Sequence, residues 1–387
     1  MEIIKHLLLL LIIILYALLI CIISRSDTSN KVNNHNNTNN PNQIIIEQEL
    51  TEDDLNDVQE KLPIENANNK DIYPNTGQSP DIPDVPSFSE PEQEEPIDTN
   101  KTYTYNALDY GLSPSNTGEE NSCILQNLIS SIPPDETIYI PAGEYKFAAT
   151  GNQTIGSHCI KMRSNVHIVG DGQTTVLKPV GQSNYGLDMF YFNELLDNNS
   201  ATYLENCTFR DFVIDAIDTS VKRYTSAGKG FMFNLYRDCH WENITVMNTD
   251  GTGFGMDCPI DCTIINCTAI NCGKAATTSS TGASGFGIGF GYSNDENIEI
   301  KNCSATGNKK FGVFFEHQGI FDQSLYRATK SNGFLVINCE SDNNYYNFGG
   351  IAAENVTYNS CISKNPISDG FYFEHSTNYN MENCTDE

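Results

Sequence analysis

The sequence is poor in basic residues: 22 Lys and Arg stand against 50 Asp and Glu, which gives a formal net charge of −28. Nucleic acid binding requires a basic face, so this balance argues against nucleic acid as a partner. Half of the net charge lies between Glu47 and Asp98, where 16 acidic residues accompany 2 basic ones. The overall acidity therefore says little about the surface of the folded part.

Two further patterns are missing. The 13 cysteines include no pair of CxxC motifs with the spacing of a zinc site. Helical periodicity of useful length is absent after about Ile132, where short β-rich runs alternate with glycine and with Asn-Cys-Thr segments. These absences argue against a zinc module and a helical domain, and they favour an all-β domain.

The N-terminal residues 1–25 contain an uninterrupted apolar run, Leu7–Ile23, between Lys5 and Arg25. Its length is at the short end of the range for a membrane-spanning helix. No A-x-A-like site follows it, which favours an uncleaved anchor over a cleaved signal peptide. We therefore predict a membrane-anchored chain on the extracytoplasmic face, at the cell surface.

Residues 26–102 are rich in Asn, Pro, Asp and Glu and contain few aromatic residues. Such a segment buries too little apolar surface to offset the entropy lost on ordering. We predict a disordered linker that acts as a stalk, followed by one folded domain over residues 103–387.

A tripeptide of the Asn-Cys-Thr type recurs through this domain. The intervals between its central residues are 37, 23, 36, 36, 22 and 23, which indicates coils of 22–23 residues with insertions in three turns. A second strand, with glycine near its start, recurs in the same frame. The central residues are Cys207, Ile244, Cys267, Cys303, Cys339, Cys361 and Cys384; the glycines are Gly230, Gly253, Gly285, Gly312, Gly350 and Gly370.

A strand that pairs with its equivalent in the next coil forms a parallel sheet wound on itself. The repeat therefore predicts a single-stranded parallel β-helix with coils ~4.8 Å apart, in which equivalent side chains form ladders. The six cysteines of the tripeptides are predicted to face inward as free thiols. A local disulfide between Cys258 and Cys262 remains open.

The start of the domain resembles the pectate-lyase-like (pectin-lyase-like) superfamily of right-handed parallel β-helices. The matching segments are Asp109–Gly111, the helix-like stretch Thr117–Ile132, Ile138–Tyr145 and Ser164–Gly172. The resemblance implies a right-handed β-helix with a short N-terminal capping helix, whose apolar stripe covers the open first coil. The superfamily includes lyases, hydrolases, epimerases and phage tailspike proteins, so the reaction is left open.

A narrower resemblance involves the coil from Gly253 to Cys267, which is similar to the catalytic coil of secreted mannuronan C5-epimerases. That coil carries a Tyr-Gly-Phe-Asp-Pro-His-Glu motif. Asp257 matches the aspartate, Phe254 replaces the tyrosine, and the histidine has no counterpart. The resemblance implies that Asp257 contributes to catalysis.

Asn248–Gly251 matches the first catalytic motif of polygalacturonase-type hydrolases. Their Asp-Asp pair, Gly-His-Gly and Arg-Ile-Lys motifs are missing, and an inverting hydrolase requires a second carboxylate. We interpret this segment as a turn.

The repeat frame also predicts an acidic column along one edge of the β-helix. Four residues after the strand glycines stand Asn234, Asp257, Gly289, Glu316, Glu354 and Glu374. Neighbouring carboxylates repel each other, so the column is expected to raise pKa values or to bind a cation. We predict Asp257, Glu316 and His317 as catalytic residues. Glu316, Glu354 and Glu374 are the predicted ligands of a Ca²⁺ ion.

Residues that follow the column or lie on insertions are the predicted contacts to substrate. Those on insertions would form one wall of a groove, and the arginine or the lysine among them would neutralise substrate charge. The set consists of Asn234, Tyr292, Arg327, Lys330 and His375, and Tyr326 lies on the same insertion as two of them.

These observations predict a surface-tethered protein that acts on an extracellular, uronate-containing polysaccharide by lyase or C5-epimerase chemistry. In such chemistry Glu316 and His317 would transfer the proton, and Asp257 would stabilise charge or bind the cation. A non-catalytic glycan-binding or adhesin-like protein is the alternative, and a polygalacturonase-like hydrolase is a second one. Self-association is also expected at the C-terminal coil, where no cap is evident.

Overall fold

The computed structural model describes residues 104–149, 157–328 and 333–387. Within these ranges, no helix is long and apolar enough to cross a membrane. The predicted anchor Leu7–Ile23 and the predicted linker 26–102 lie outside the described residues.

The domain begins with the predicted cap. Helix α1 (Gly118–Ser131) starts at a capping box, in which the Thr117 hydroxyl accepts from the Glu120 N–H and the Glu120 carboxylate accepts from the Thr117 N–H. Its apolar stripe packs on the first coils, with Leu125 and Leu128 buried. The sequence prediction of a helix over Thr117–Ile132 is therefore confirmed to within a residue at each end.

Most of the described strands belong to three parallel ladders, here called sheets A, B and C, and each coil contributes one strand segment to each sheet. This arrangement is a parallel β-helix. Sheet A consists of β4 (Ser157–Lys161), β8 (Leu187–Phe192), the first part of β11 (Phe231–Met247), β12 (Phe254–Ile260), β15 (Phe286–Phe290), β18 (Phe311–His317), β21 (Tyr346–Ile351) and β24 (Asp369–Glu374).

Sheets B and C complete each coil. Sheet B consists of β1 (Tyr105–Asn106), β2 (Glu136–Tyr139), β5 (Val166–Val169), the first part of β9 (Leu204–Asp215), the middle of β11, β13 (Cys262–Ile265), β16 (Asn297–Lys301), β19 (Gly333–Ile337), β22 (Val356–Asn359) and β25 (Asn380–Glu382). Sheet C consists of β3 (Gly143–Phe147), β6 (Thr175–Pro179), the ends of β9 and β11, β14 (Thr268–Ile270), β17 (Ser304–Thr306), β20 (Glu340–Asp342), β23 (Ile362–Lys364) and β26 (Thr385–Asp386).

A few short elements lie outside the three sheets. Strands β7 (Gly181–Ser183) and β10 (Thr219–Val221) pair with each other. The remaining helical elements of the described ranges are α2 (Glu194–Asn198) and the 3₁₀ turns Ala107–Tyr110, Gly172–Thr174 and Gln318–Ile320.

The Asn-Cys-Thr repeat marks the corner between sheets B and C. The asparagines adopt left-handed backbone conformations, as in Asn266 (φ 52°) and Asn302 (φ 53°), which Asn tolerates better than most residues. The Asn302 amide donates to Asn266 Oδ1 of the preceding coil at 3.3 Å. The repeat thus combines a corner residue, an inward-facing side chain and the start of a sheet C strand.

The cysteines form two interior ladders instead of the single one predicted. Cys267, Cys303, Cys339, Cys361 and Cys384 follow one another on successive coils as predicted, with Ile244 ahead of them. Cys207 instead stacks with Cys239 and Cys262, so its predicted place in the first ladder is wrong. Cys258 and Cys262 are both free thiols.

The register explains why Cys207 was misplaced. Strand β9 is long and continues around the corner, so Phe212 rather than Cys207 lies opposite Ile244. The tripeptide at Asn206 belongs to the corner before sheet B, where Asn206 also has a positive φ. Two corners of the coil therefore use the same local sequence.

Candidate functional site

The outer face of sheet A carries a column of side chains in strict register. Asn234 pairs with Asp257, Asp257 with Gly289, and Gly289 with Glu316. The next positions are Ile351 and Glu374. Five of the six predicted members of the column are therefore confirmed in place.

Glu354 is not part of this column, and its predicted position there is wrong. Gly350 lies opposite Phe315 in mid-strand, whereas Asn347 occupies the place equivalent to Gly312. The position of Glu354 was counted from Gly350, which lies three residues beyond the true equivalent of Gly312. Glu354 lies beyond β21, at an isolated bridge to Thr377.

Asp257 occupies the space above Gly289. A β-carbon at Gly289 would overlap the Asp257 carboxylate, so only glycine leaves room for it. The Gly289 N–H donates to that carboxylate. Burial raises the pKa of Asp257, although the charge of Lys229 and this hydrogen bond oppose the rise.

Glu316 stands on the far side of Gly289. Burial is the main cause that raises the pKa of Glu316 to about 7, and the negative charge of Asp257 adds to it. Lys310, Lys229 and a hydrogen bond from Gln318 act in the opposite direction. Glu316 is thus a carboxyl group that exchanges its proton near neutral pH.

Two lysines complete the charge distribution. The Lys229 side chain lies across Gly255, where a β-carbon would be 2.9 Å from its Cε. Its backbone is fixed because the buried Asp188 accepts from the N–H groups of Gly228 (2.9 Å) and Lys229 (2.7 Å). Burial raises the pKa of Asp188 to about 6.

Lys310, which directly precedes β18, interacts electrostatically with Glu316. Burial lowers the pKa of Lys310, against the opposing charges of Glu316 and Glu374. Its ammonium group donates to the Ser280 carbonyl at 3.3 Å. Sequence reasoning missed both lysines, although Lys229 directly precedes the strand glycine Gly230 and Lys310 stands two residues before Gly312.

The insertion after β18 forms a wall beside the column. Asn234 Nδ2 donates to the Tyr326 hydroxyl at 3.2 Å, across 92 positions of sequence. Burial raises the pKa of Tyr326, and the charge of Asp257 contributes to the rise. Among the described residues, the buried Asn234 Oδ1 has no hydrogen-bond partner. The hydrogen bond thus joins the first residue of the column to the insertion.

His317 is engaged inside the same insertion. Its Nδ1 accepts from the Gly319 N–H at 2.9 Å, and its Nε2 lies 3.0 Å from the Ala328 carbonyl. A carbonyl oxygen only accepts, so Nε2 carries the hydrogen and both ring nitrogens are occupied. This geometry disfavours the predicted role of His317 as proton acceptor and gives it a structural one.

The other predicted contact residues are scattered. Arg327 is exposed, and its Nε donates to the Ser324 carbonyl at 2.6 Å within its own loop. The His375 side chain is 81% exposed and lies 3.9 Å from Glu374. The Tyr292 N–H donates to the buried Glu296 at 2.9 Å. Lys330 lies outside the described residues.

Asn248–Gly251 is a buried turn, as interpreted from the sequence. Asp250 is 1% exposed, accepts from the Thr219 hydroxyl at 2.8 Å and lies 3.6 Å from the Lys274 ammonium group. Asn248 has a φ of 57°. This carboxylate is occupied by its neighbours and does not face the column on sheet A.

The predicted calcium ligands do not come together, because Ile351 separates Glu316 from Glu374 and Glu354 lies elsewhere. Over the part of the chain that the structure describes, there is no group of three His, Cys, Asp or Glu side chains suited to a metal ion.

Comparison with known proteins agrees with this architecture. The family described as "Right handed beta helix region" matches residues 153–325. Mannuronan C5-epimerase AlgE1 of Azotobacter vinelandii is 27% identical over 245 residues, which are 62% of this chain and 14% of that protein. The chain thus spans about one seventh of the length of this relative.

Solved structures show the same fold. The A-module of mannuronan C-5 epimerase AlgE4 from Azotobacter vinelandii superposes with a TM-score of 0.50 at 21% identity, covering 72% of this chain and 76% of that one. At this identity the likeness concerns the fold alone. The chain is thus similar to the right-handed β-helix family over residues 153–325, with weak sequence similarity to the mannuronan C5-epimerases.

Proposed function

We propose that this chain is a carbohydrate-active protein whose outer face of sheet A acts on a uronate-containing polysaccharide. The observation that carries the proposal is the pair of mostly buried carboxyl groups, Asp257 and Glu316, on either side of Gly289 and within electrostatic reach of Lys229 and Lys310. The sequence similarity to an enzyme named for mannuronan supports the substrate class.

The reaction that fits this site is abstraction of the proton next to the uronate carboxylate, as in a lyase or a C5-epimerase. With a pKa of about 7, Glu316 is part ionised at neutral pH and suits both uptake and return of a proton. Lys229 and Lys310 would neutralise the uronate carboxylate, which makes the adjacent proton more acidic.

Asp257 and Tyr326 would act as hydrogen-bonding groups in this reaction. Burial raises the pKa of the Tyr326 hydroxyl, which would donate to an oxygen of the substrate, and Asp257 would hydrogen-bond to the substrate beside it. Glu316 handles the proton in this proposal without His317.

A non-catalytic glycan-binding protein is the second candidate. It is favoured by the engagement of both ring nitrogens of His317 and by Phe254, which stands where the epimerase motif has tyrosine. In either case, attachment to a membrane through Leu7–Ile23, a place at the cell surface and self-association stay predictions.

A glycan panel tests the proposal on the full-length chain. We expect retention by acidic polymers such as polymannuronate and polygalacturonate but not by a neutral glucan, measured by affinity electrophoresis. Ultraviolet absorbance of the incubated polymers detects the unsaturated uronide that a lyase makes. The same assay with a chelator tests the calcium prediction, and a chain that neither binds nor alters any acidic polymer contradicts the proposal.

A further inference from the structure

The segments that lead from sheet C into sheet A gather positive charge along one border of sheet A. From β8 to β24 these segments hold six basic and two acidic residues, and they are called the basic flank here. The basic residues are Lys222, Arg223, Lys229, Lys274, Lys309 and Lys310. The basic flank is therefore a local exception in a chain with a net charge of −28.

The basic flank borders the coils of the candidate site. Its basic residues lie in the segments that lead into β11, β15 and β18, the strands of Asn234, Gly289 and Glu316. The segments that lead into the preceding strand β8 and into the later strands β21 and β24 contain no charged residue. Positive charge on this border thus accompanies the coils that carry the column.

The opposite border of sheet A has the reverse polarity. The segments that lead from sheet A to separate strands of sheet B hold seven acidic and three basic residues. A linear polyanion that lies between the two borders would be drawn towards the basic flank by its negative groups. Its uncharged hydroxyl groups would then face the acidic border.

Hydrogen bonds join the parts of the basic flank. The Tyr224 hydroxyl donates to the Thr281 carbonyl at 2.9 Å, and the Lys310 ammonium group donates to the neighbouring Ser280 carbonyl at 3.3 Å. The segments before β11, β15 and β18 therefore contact one another, and a ligand would meet them as one surface.

Three exposed cations of the basic flank have no ion-pair partner among the described residues. They are Lys222, Arg223 and Lys309. The two acidic residues of the flank, in contrast, are already paired. Asp250 lies 3.6 Å from Lys274, and Asp218 lies 3.4 Å from Lys178 of sheet C. The three exposed cations are thus available to an external anion.

We propose that Lys222, Arg223 and Lys309 bind carboxylates of the sugar residues that flank the reacting one, and that they thereby select polyuronates over neutral glycans. This inference rests on the proposed function, because it assigns the basic flank to the same polymer. Exposed charges at the rim of a binding face attract the ligand and orient it. These residues contribute to binding and take no part in proton transfer.

Charge-neutralising variants of the full-length chain test the basic flank, with polymannuronate and polygalacturonate in separate affinity gels as probes. Arg223→Gln and Lys309→Gln should each lower the affinity about twofold to fivefold at low salt, and the difference should vanish at about 0.5 M NaCl, where exposed charges are screened. Arg223→Lys keeps the charge and should retain the affinity. Lys146→Gln is the matched control, because Lys146 is exposed on sheet C.

The methyl esters of the same polymers identify the group that the basic flank binds. They keep the sugar backbone but have no free carboxylates, so we expect both glutamine variants to match the wild type on them. A variant that loses as much affinity for the ester as for the acid would overturn the inference, because the loss would then not depend on the carboxylates.

The outcomes separate this inference from the proposed function. If an acidic polymer retains the wild type, and retains Arg223→Gln and Lys309→Gln as well as Lys146→Gln, the role of the basic flank is wrong and the proposed function stands. A loss that persists at high salt would also overturn the role, since it would not be electrostatic. A wild type that neither acidic polymer retains overturns both proposals.

Discussion

Glu316 connects the chemistry of the candidate site to the stability of the fold. Its pKa is raised from 4.5 to about 7 in the folded chain, chiefly by burial. The folded state therefore binds a proton more tightly than the unfolded chain. Stabilisation from the neutral form is complete below the unfolded pKa and is lost as the pH rises through about 7.

The first prediction concerns Glu316→Gln, which removes this titration. Because glutamine stays neutral, the variant should be more stable than the wild type at pH 8, by on the order of 1–3 kcal/mol, and the gain should shrink towards pH 5. Chemical denaturation at both pH values measures it. Glu299→Gln, on the outer face of sheet B, is the control, and an equal pH dependence in both variants would contradict the burial argument.

Gly289 has no side chain and therefore leaves room for the Asp257 carboxylate. Gly289→Ala places a methyl group where the Asp257 carboxylate lies, so we expect Asp257 to turn away and glycan affinity to fall several-fold. The fold should lose little stability, since the overlap is with the ends of side chains. Affinity electrophoresis and thermal unfolding measure the two effects.

Gly287→Ala offers a matched control on the same strand. Its new β-carbon would meet Thr252 Cγ2 at 3.2 Å, away from both carboxylates. Equal affinity of the two alanine variants would show that the position of Asp257 is unimportant for binding.

Among the elements, the insertion after β18 is joined to the column by the hydrogen bond between Asn234 and Tyr326. Tyr326→Phe removes the acceptor of the Asn234 amide and leaves a buried donor unsatisfied, at a cost of about 1–3 kcal/mol. We expect faster proteolysis of residues 318–328 under native conditions, while the coils stay folded. Tyr379→Phe is the control, and an unchanged cleavage rate would mean that the hydrogen bond does not hold the insertion.

The cysteine ladders predict a clear pattern of thiol reactivity. Cys123 on α1 is exposed, whereas Cys303 and Cys339 are 2% and 1% exposed inside the coils. Burial raises the pKa of Cys303, and a hydrogen bond with Cys303, together with burial, raises the pKa of Cys339, which suppresses the reactive thiolate. Brief maleimide labelling followed by peptide mass mapping should modify Cys123 and spare the ladders, and prompt labelling of Cys303 would contradict the interior assignment.

The repeat was sufficient to predict the coils because corner residues and inward side chains recur at fixed positions. It failed where two corners share one local sequence, at Cys207, and where glycine occurs in mid-strand, at Gly350. In both cases register is decided by pairing with the neighbouring coil, which a single tripeptide does not encode.

The sequence predicts the carboxylates of the candidate site but not its lysines, for a related reason. Asp257 and Glu316 stand in the repeat and were found. Lys229 and Lys310 do not occupy the repeat positions that form the column, although both act on its carboxylates. The hydrogen bonds of His317 depend on how the insertion folds, and the insertion has no sequence repeat. Side-chain direction in irregular segments follows from tertiary contacts rather than from periodicity.

At the scale of the whole molecule, the β-helix converts sequence repeats into a long outer face. Sheet A places Asn234, Asp257, Glu316 and Glu374 in one column. An extended ligand matches such a face better than a compact one, because equivalent positions repeat at ~4.8 Å along the axis.

The central claim is that Glu316 takes a proton from a uronate residue bound on this face. Incubation of the retained uronate polymer with the chain in D₂O, followed by proton NMR, tests it most directly. We predict that the wild type causes loss of the C5 proton signal or the appearance of an olefinic signal, and that Glu316→Gln binds the polymer without either change. Polymer spectra that stay unchanged with the wild type, or that change equally with Glu316→Gln, would contradict the claim.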